Sequence, residues 1–272
     1  MTDLIIDKSL MEQFKTHLKL EEKSNNTIEK YLRDVYAFWK FIGEQSVTKE
    51  LAINYKEHLL SDEYAVRSIN SMIASLNSFF TFAGCENMKI KTIKEQRQIY
   101  CSENRELTKE EYTRLLKAAE SKGNQRLNLI LQTICGTGIR VSELQFITVE
   151  AVKNGEALVF CKCKRRSVFI VKALQKKLLK YAAEQNITSG CIFITRTGKP
   201  VSRTNIWRDM KKLCKDANVN PDKVFPHNLR HLFARVFYDI EKDIAKLADI
   251  LGHSSINTTR IYIISTGTEH RQ

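Results

Sequence analysis

Thr137-Gly138-Ile139-Arg140-Val141-Ser142-Glu143-Leu144 is the stretch from which the rest of the chain can be read. Gly138 interrupts one helical pattern and Arg140 stands at the start of another. At a helix N-terminus a guanidinium fork can grip a phosphate while the free backbone N–H groups add partial positive charge. Glu143, three residues on, shares a helical face with Arg140 and can hold it, or a neighbouring histidine, in position. Taken alone, a surface ion pair explains these residues better. The downstream residues change that balance: a basic turn around Lys162, then His227-Asn228-Leu229-Arg230-His231, then Leu251-Gly252-His253, and finally Tyr262.

Each of these elements has a chemical reading. His227 and Arg230 are three apart, so a helix beginning near Pro226 presents both to one ligand. His231 points about a quarter-turn from Arg230 and is expected to be structural. His253 lies between a helix stop at Gly252 and new cap residues at Ser254-Ser255, a corner from which a side chain can project into a site. Tyr262 is one of nine tyrosines, for any one of which packing is the default reading. A phenol has a pKa of about 10 and attacks at neutral pH only if cations or a base assist it. Lys162 falls at the tip of a basic turn, Cys161-Lys162-Cys163-Lys164-Arg165-Arg166, from which a lysine can protonate a leaving oxygen; Lys164 is its rival. Cys161 and Cys163 have no partner His/Cys pair at zinc spacing, so no metal and no cofactor are expected. The ordered set reads as metal-free attack of a phenol on a phosphodiester.

Composition narrows the partners. The 272 residues are 43 % hydrophobic and 28 % charged, which suits a globular chain. No apolar run is long enough to span a bilayer and the N-terminus lacks a secretory pattern. Seven irregularly spaced cysteines suit reduced thiols, so a cytoplasmic protein with no membrane association is expected. The net charge of +13 is uneven: residues 1–96 carry 13 Lys/Arg against 14 Asp/Glu, and residues 97–272 the other 31 against 17. A basic segment of that size points to a polyanion, nucleic acid first.

Helical periodicity dominates the first part, with Leu10, Phe14 and Leu18, then Ile28 to Trp39 after the caps Ser24-Asn25-Asn26-Thr27, then helices near 48–60 and 64–83. Residues 1–88 are therefore expected to form a helical domain, 89–106 a polar linker, and 107–272 a second domain opened by a capping box at Thr108-Lys109-Glu110-Glu111. In the second domain Val149–Val152, Ala157–Phe160 and Ser167–Val171 read as strands, with Asn154-Gly155 as a hairpin turn between the first two. A helix over 172–185, a short strand at Ile192-Phe193-Ile194 and helices near 202–217, 227–239 and 242–251 complete a mainly α fold with a small antiparallel sheet.

Together the stretches Thr137 to Leu144, the turn at Lys162, His227 to Arg230 with Phe233-Ala234, Leu251-Gly252-His253 and Thr258 to Tyr262 resemble the tyrosine recombinases of the phage-integrase and Xer type. The resemblance implies a SAM-like core-binding domain joined to a tyrosine-recombinase catalytic domain. It implies that Arg140 and Arg230 clamp a scissile phosphate, His253 adds a hydrogen bond, His227 assists proton transfer from Tyr262, and Lys162 is the general acid. Tyr262 would form a 3′-phosphotyrosyl link that a 5′-hydroxyl later resolves, with neither ATP nor metal. The implied partner is double-stranded DNA with inverted-repeat half-sites, clamped between the domains. The implied assembly is a homotetramer on synapsed sites, or one shared with a hetero-partner recombinase, and a bacterial, phage or mobile-element origin is expected. This sequence departs from the pattern at Cys161 and Cys163 in place of turn glycines, at Phe169 in place of proline, and in the ten residues after Tyr262.

Further DNA contacts are expected from Arg203, Asn205 and Arg208 on one helix, where arginine and asparagine can read guanine and adenine. Lys164 and Arg165 in the basic turn, and Lys30, Arg67 and Asn70, with Ser71, in the first domain, complete the set. Two rivals remain on the residues alone: a type IB topoisomerase that nicks and closes DNA, and a DNA-binding regulator that does not cut.

Overall fold

The computed structural model describes residues 4–94, 106–161 and 164–262, and the side chains of Cys161 and Lys164 are not among what it describes. The chain divides into two compact units, Met1–Arg97 and Gln98–Gln272.

Among the described residues the first unit has four α-helices, α1 (Lys8–Leu20), α2 (Asn25–Ile42), α3 (Lys49–Ser61) and α4 (Val66–Phe82), followed by a 3₁₀ turn, Glu86–Met88. Asp7, Ser24 and Thr48 start the first three by accepting from the backbone N–H groups of Leu10, Thr27 and Leu51, which satisfies donors that a helix end leaves open. Phe14, Leu18, Phe38, Ile69, Ile73, Phe79 and Phe80 are buried between the helices, and Phe14 meets Phe79 edge-on at 5.2 Å.

Two polar devices interrupt this core. Asp34 is buried and accepts from Ser75 Oγ at 2.8 Å and from Lys30. The Lys30 ammonium, expected to face DNA, also donates to Ser71 O and Ser75 Oγ, both at 3.1 Å. Asn77 accepts from Ile90 N at 3.0 Å and donates to Ile90 O at 2.9 Å. Two turns earlier on α4, Asn70 does the same for Ile93, at 2.8 and 2.9 Å. These two amides clamp the segment leaving the unit along α4, and the Asn70 side chain, expected to contact DNA, is engaged by the Ile93 backbone. Arg67, at the start of α4, is exposed.

The second unit opens with α5 (Lys109–Ser121), whose Thr108/Glu111 capping box is present as the sequence predicts. Helix α6 (Gln125–Thr137) ends at Gly138, which adopts the left-handed conformation at φ 63°. A Cβ there would lie 2.5 Å from the Phe233 ring, so both backbone and space demand glycine. A 3₁₀ turn, Val141–Phe146, follows with Arg140 at its N-cap. Next come α7 (Val149–Asn154), β1 (Glu156–Cys161), β2 (Lys164–Phe169), α8 (Lys172–Glu184), α9 (Arg203–Ala217), α10 (Pro226–Glu241), α11 (Ile244–Leu251) and α12 (Ile256–Arg260).

The strand expected at Val149–Val152 is a helix, and Asn154-Gly155 is not a hairpin turn. Thr148 caps the segment by accepting from Ala151 N, and Val149 and Val152, three apart, bury one helical face. Gly155 ends it at φ 77°; a glycine with positive φ serves a helix stop as readily as a turn. The hairpin joins β1 to β2 instead, in antiparallel register from Glu156↔Phe169 to Cys161↔Lys164. The short strand expected at Ile192–Ile194 is reduced to isolated bridges, Thr148↔Cys191 and Ile194↔Pro200.

Leu131, Ile134, Leu178, Phe193, Met210 and Leu229 centre the core of this unit. Ala234, Leu247, Leu251 and Tyr262 form a separate small cluster, with Phe233, Phe237 and Tyr238 against it. Among the described residues no helix is long and apolar enough to cross a membrane.

The amide clamp on α4 is testable. Asn77→Ala leaves the backbone groups of the buried Ile90 without partners and is expected to destabilise the first unit by about 1–3 kcal/mol, measured by urea unfolding; Asn77→Asp, which retains the acceptor, is expected to lose less.

Candidate active site

The site is built around Arg230, which is 1 % exposed. Its place on α10 follows from Pro226 starting the helix and Leu229 and Leu232 burying the face beside it. Nη1 donates to Gly138 O at the end of α6. Nη2 donates to Leu251 O at the end of α11 at 2.6 Å and to His253 Nε2 at 3.1 Å. Nε is buried with no hydrogen-bond partner among the described residues. Burial, and then repulsion from Arg140, lower the Arg230 pKa to about 10, against an opposing pull from Tyr262, so the group stays charged at neutral pH.

Glu143 links the other cations. Its carboxylate accepts from Arg140 N at 3.0 Å and Arg140 Nη1 at 2.9 Å, and from Arg166 Nη2 at 2.5 Å. Burial alone would raise the Glu143 pKa, but the Arg140 backbone bond and the Arg166 and Arg140 guanidiniums outweigh it and hold the group below the usual carboxylate range. Arg166, on β2, also donates to Ile250 O at 2.6 Å. A Cβ on Gly252 would lie 2.4 Å from Arg166 Cδ, so the glycine lets this side chain pass beneath the corner that carries His253.

Four rings complete the site. Tyr262, 6 % exposed, has its Oη 3.3 Å from His227 Nε2. Its ring stacks on His231 with centroids 4.1 Å apart and planes at 21°, and lies 5.1 Å from His253. His253 Nδ1 is 2.9 Å from Thr259 Oγ1. A guanidinium only donates, so His253 Nε2 accepts from Arg230, and the ring proton is on Nδ1, facing Thr259. Desolvation lowers the His227 pKa, aided by Arg230, Arg140 and Arg203. Desolvation also takes His231 down to about 4, with His227 and Arg230 adding to it, and His253 down to about 4, with Arg230 and Arg140 adding to it. At neutral pH the site therefore holds neutral imidazoles among guanidiniums, an environment that favours an incoming anion and a proton acceptor together.

Of the residues singled out in the sequence, Arg140, His227, Arg230, His253 and Tyr262 are brought together. Lys162 lies outside the described residues, and Lys164 is described only as the partner of Cys161 at the end of the hairpin. Arg165 is exposed, with its guanidinium over the Phe160 ring at 4.8 Å. On α9, Arg203 and Arg208 are exposed, and Asn205 accepts from Arg208. Trp207, 47 % exposed with Lys211 over its ring at 5.4 Å, lies among them and was not anticipated. Among the described residues no group of three or more His, Cys, Asp or Glu is placed to hold a metal.

Sequence reasoning also missed Arg166 and Thr259 and set His231 aside as structural. Alternation along β2 carried a signal for Arg166, since neighbouring strand residues point to opposite faces. The four-residue spacing of His227 and His231 carried one for His231.

Residues 105–269 match the model of the phage integrase family, and residues 11–87 match the phage integrase N-terminal SAM-like domain. The chain is 32 % identical over 276 residues to tyrosine recombinase XerA of Pyrococcus horikoshii, covering 98 % of this chain and 92 % of that protein. It is 29 % identical to XerD of Halalkalibacterium halodurans, covering 96 % and 94 %. In fold it is similar to a lambda integrase tetramer bound to a Holliday junction, with a TM-score of 0.77 at 18 % identity, covering 96 % of this chain and 78 % of that one. The chain belongs to the phage integrase family and is a site-specific tyrosine recombinase.

Proposed function

We propose that Tyr262 is the nucleophile of this recombinase and that the residues around it divide the work of one phosphoryl transfer. The observation that carries the reading is the Tyr262 Oη–His227 Nε2 approach of 3.3 Å beside the buried Arg230. A neutral imidazole is a proton acceptor, and catalytic hydrogen bonds are often long before substrate binds.

In this reading the scissile phosphate lies against Arg140 and Arg230, and the unpartnered Arg230 Nε is suited to a non-bridging oxygen. Tyr262 Oη attacks phosphorus and its proton passes to His227 Nε2. The P–O5′ bond breaks, and the 5′-oxygen leaves with a proton from Lys162, with Lys164 as the rival donor. The product is a 3′-phosphotyrosyl link and a free 5′-hydroxyl. Attack by a 5′-hydroxyl of the partner duplex reverses these proton transfers and releases the tyrosine. The phosphate oxygens also draw Arg230 Nη2 from His253, which then takes its other neutral tautomer: the ring proton is carried on Nε2 and donated to the phosphate, while Nδ1 accepts from the Thr259 hydroxyl. Preorganised cations stabilise the charge that builds on phosphorus, and no hydrolysed cofactor is required.

The substrate is double-stranded DNA with inverted half-sites, acted on by a tetramer. The relatives support a DNA substrate and a tetramer, since one solved neighbour is a lambda integrase tetramer on a Holliday junction and another is a XerH recombinase bound to its difH substrate. Arg203 and Arg208 on α9, Arg165 on the hairpin and Arg67 on α4 are exposed and suited to DNA phosphates or base edges. The nicking–closing and non-cutting alternatives are not favoured, because the relatives are recombinases.

Three outcomes test these roles. On a nicked suicide duplex, the wild type is expected to form a covalent adduct and Tyr262→Phe none, with duplex affinity unchanged; an adduct from the variant refutes the nucleophile. The wild-type cleavage rate is expected to be flat near neutral pH and to fall as pH drops below the ordinary histidine range, because His227 protonates there and stops accepting. In His227→Asn that acid limb should shrink and the rate should drop about 10²–10⁴-fold. Glu143→Gln removes the charge that holds Arg140 and Arg166, and is expected to slow cleavage by about 10²-fold or more, read in single-turnover assays.

A further inference from the structure

We infer that His231 is a positioning residue for the nucleophile, acting as a flat platform that fixes the plane of the Tyr262 ring. The inference rests on the proposed role of Tyr262. Tyr262 has little backbone support: α12 is only five residues, Ile256–Arg260, and the Tyr262 N–H donates to Thr259 O at 2.9 Å. Its ring plane is therefore set by side chains. His227 holds the phenol oxygen at one point, and the contact with His253 is tilted at 48°. His231 alone among these rings lies nearly parallel to the phenol, at 4.1 Å and 21°.

The support has a rigid base. His227 and His231 are one helical turn apart on α10 and meet edge-to-face at 4.8 Å and 72°. One turn of helix thus carries both the group that meets the phenol oxygen and the surface beneath the phenol ring. Rotation about the Tyr262 Cα–Cβ bond would slide the ring off the stack and swing Oη off His227 together. Orientation of a nucleophile is worth much in an in-line displacement, since a misplacement of about 1 Å can cost about 10²-fold. The low His231 pKa is consistent with this role, because the ring stays neutral and does not compete with His227 for the phenol proton.

The test compares His231→Phe with His231→Leu on the nicked suicide duplex, measuring single-turnover cleavage, duplex affinity and thermal stability. Phe keeps a flat ring without nitrogen; Leu keeps bulk without a plane. The expected result is near-wild-type cleavage for Phe and at least a tenfold slower rate for Leu, with affinity and stability alike in the two variants. Equal rates in the two variants, whether both intact or both slow, overturn the inference, as does a loss in Leu that tracks stability or affinity. Tyr262→Phe serves as the control: if it still forms an adduct, the parent reading has failed, and the His231 comparison is then a failure of that reading and not of the stack.

Discussion

A guanidinium buried to 1 % exposure is costly unless its donors are matched, and the catalytic unit is arranged around meeting that demand for Arg230. The carbonyls that meet it come from two helix ends, Gly138 closing α6 and Leu251 closing α11. Both helices stop in left-handed glycines or beside them, at Gly138 and Gly252, so that their last carbonyls turn toward one point. The buried charge and the helix endings thus require each other. The corner that Gly252 creates then delivers His253 to the same guanidinium.

Glu143 extends this arrangement to the surface of the site. One carboxylate orients Arg140 through both backbone and side chain and ties it to Arg166 on the hairpin. Arg166 in turn reaches Ile250 O on α11. The two-stranded sheet, the 3₁₀ turn after α6 and the end of α11 are thereby joined through side chains rather than through a continuous sheet. Burial, with the guanidinium charges adding to it, lowers the histidine pKa values, and the concentrated positive charge favours a phosphodiester.

Much of this was legible in the sequence because it rests on local rules. Thr108/Glu111, Ser24 and Thr48 announce helix starts, and Gly252 announces a stop. Spacing placed His227 with Arg230. The failures share a physical cause, which is that local signals are degenerate. Gly155 has the positive φ of a turn, yet it closes a helix because Thr148 caps the segment and Val149 and Val152 bury its face. Lys30 and Asn70 read as surface residues, and the structure adds partners that no local pattern names: Asp34 four residues on and Ser75 much farther along the chain for Lys30, and the Ile93 backbone for Asn70. Strand alternation and helical spacing mark the faces of Arg166 and His231, but their partners Glu143 and Tyr262 lie 23 or more residues away and are not named by any local pattern.

The central claim is that one tyrosine among nine carries the covalent chemistry. Its most direct test is to trap the adduct on a duplex labelled separately at each side of the nick, digest it, and map the modified peptide by mass spectrometry. The account predicts a single phosphotyrosyl peptide containing Tyr262, joined to the 3′-side of the cleaved strand with a free 5′-hydroxyl opposite. A modified residue other than Tyr262, or a link to the 5′-side, would contradict it.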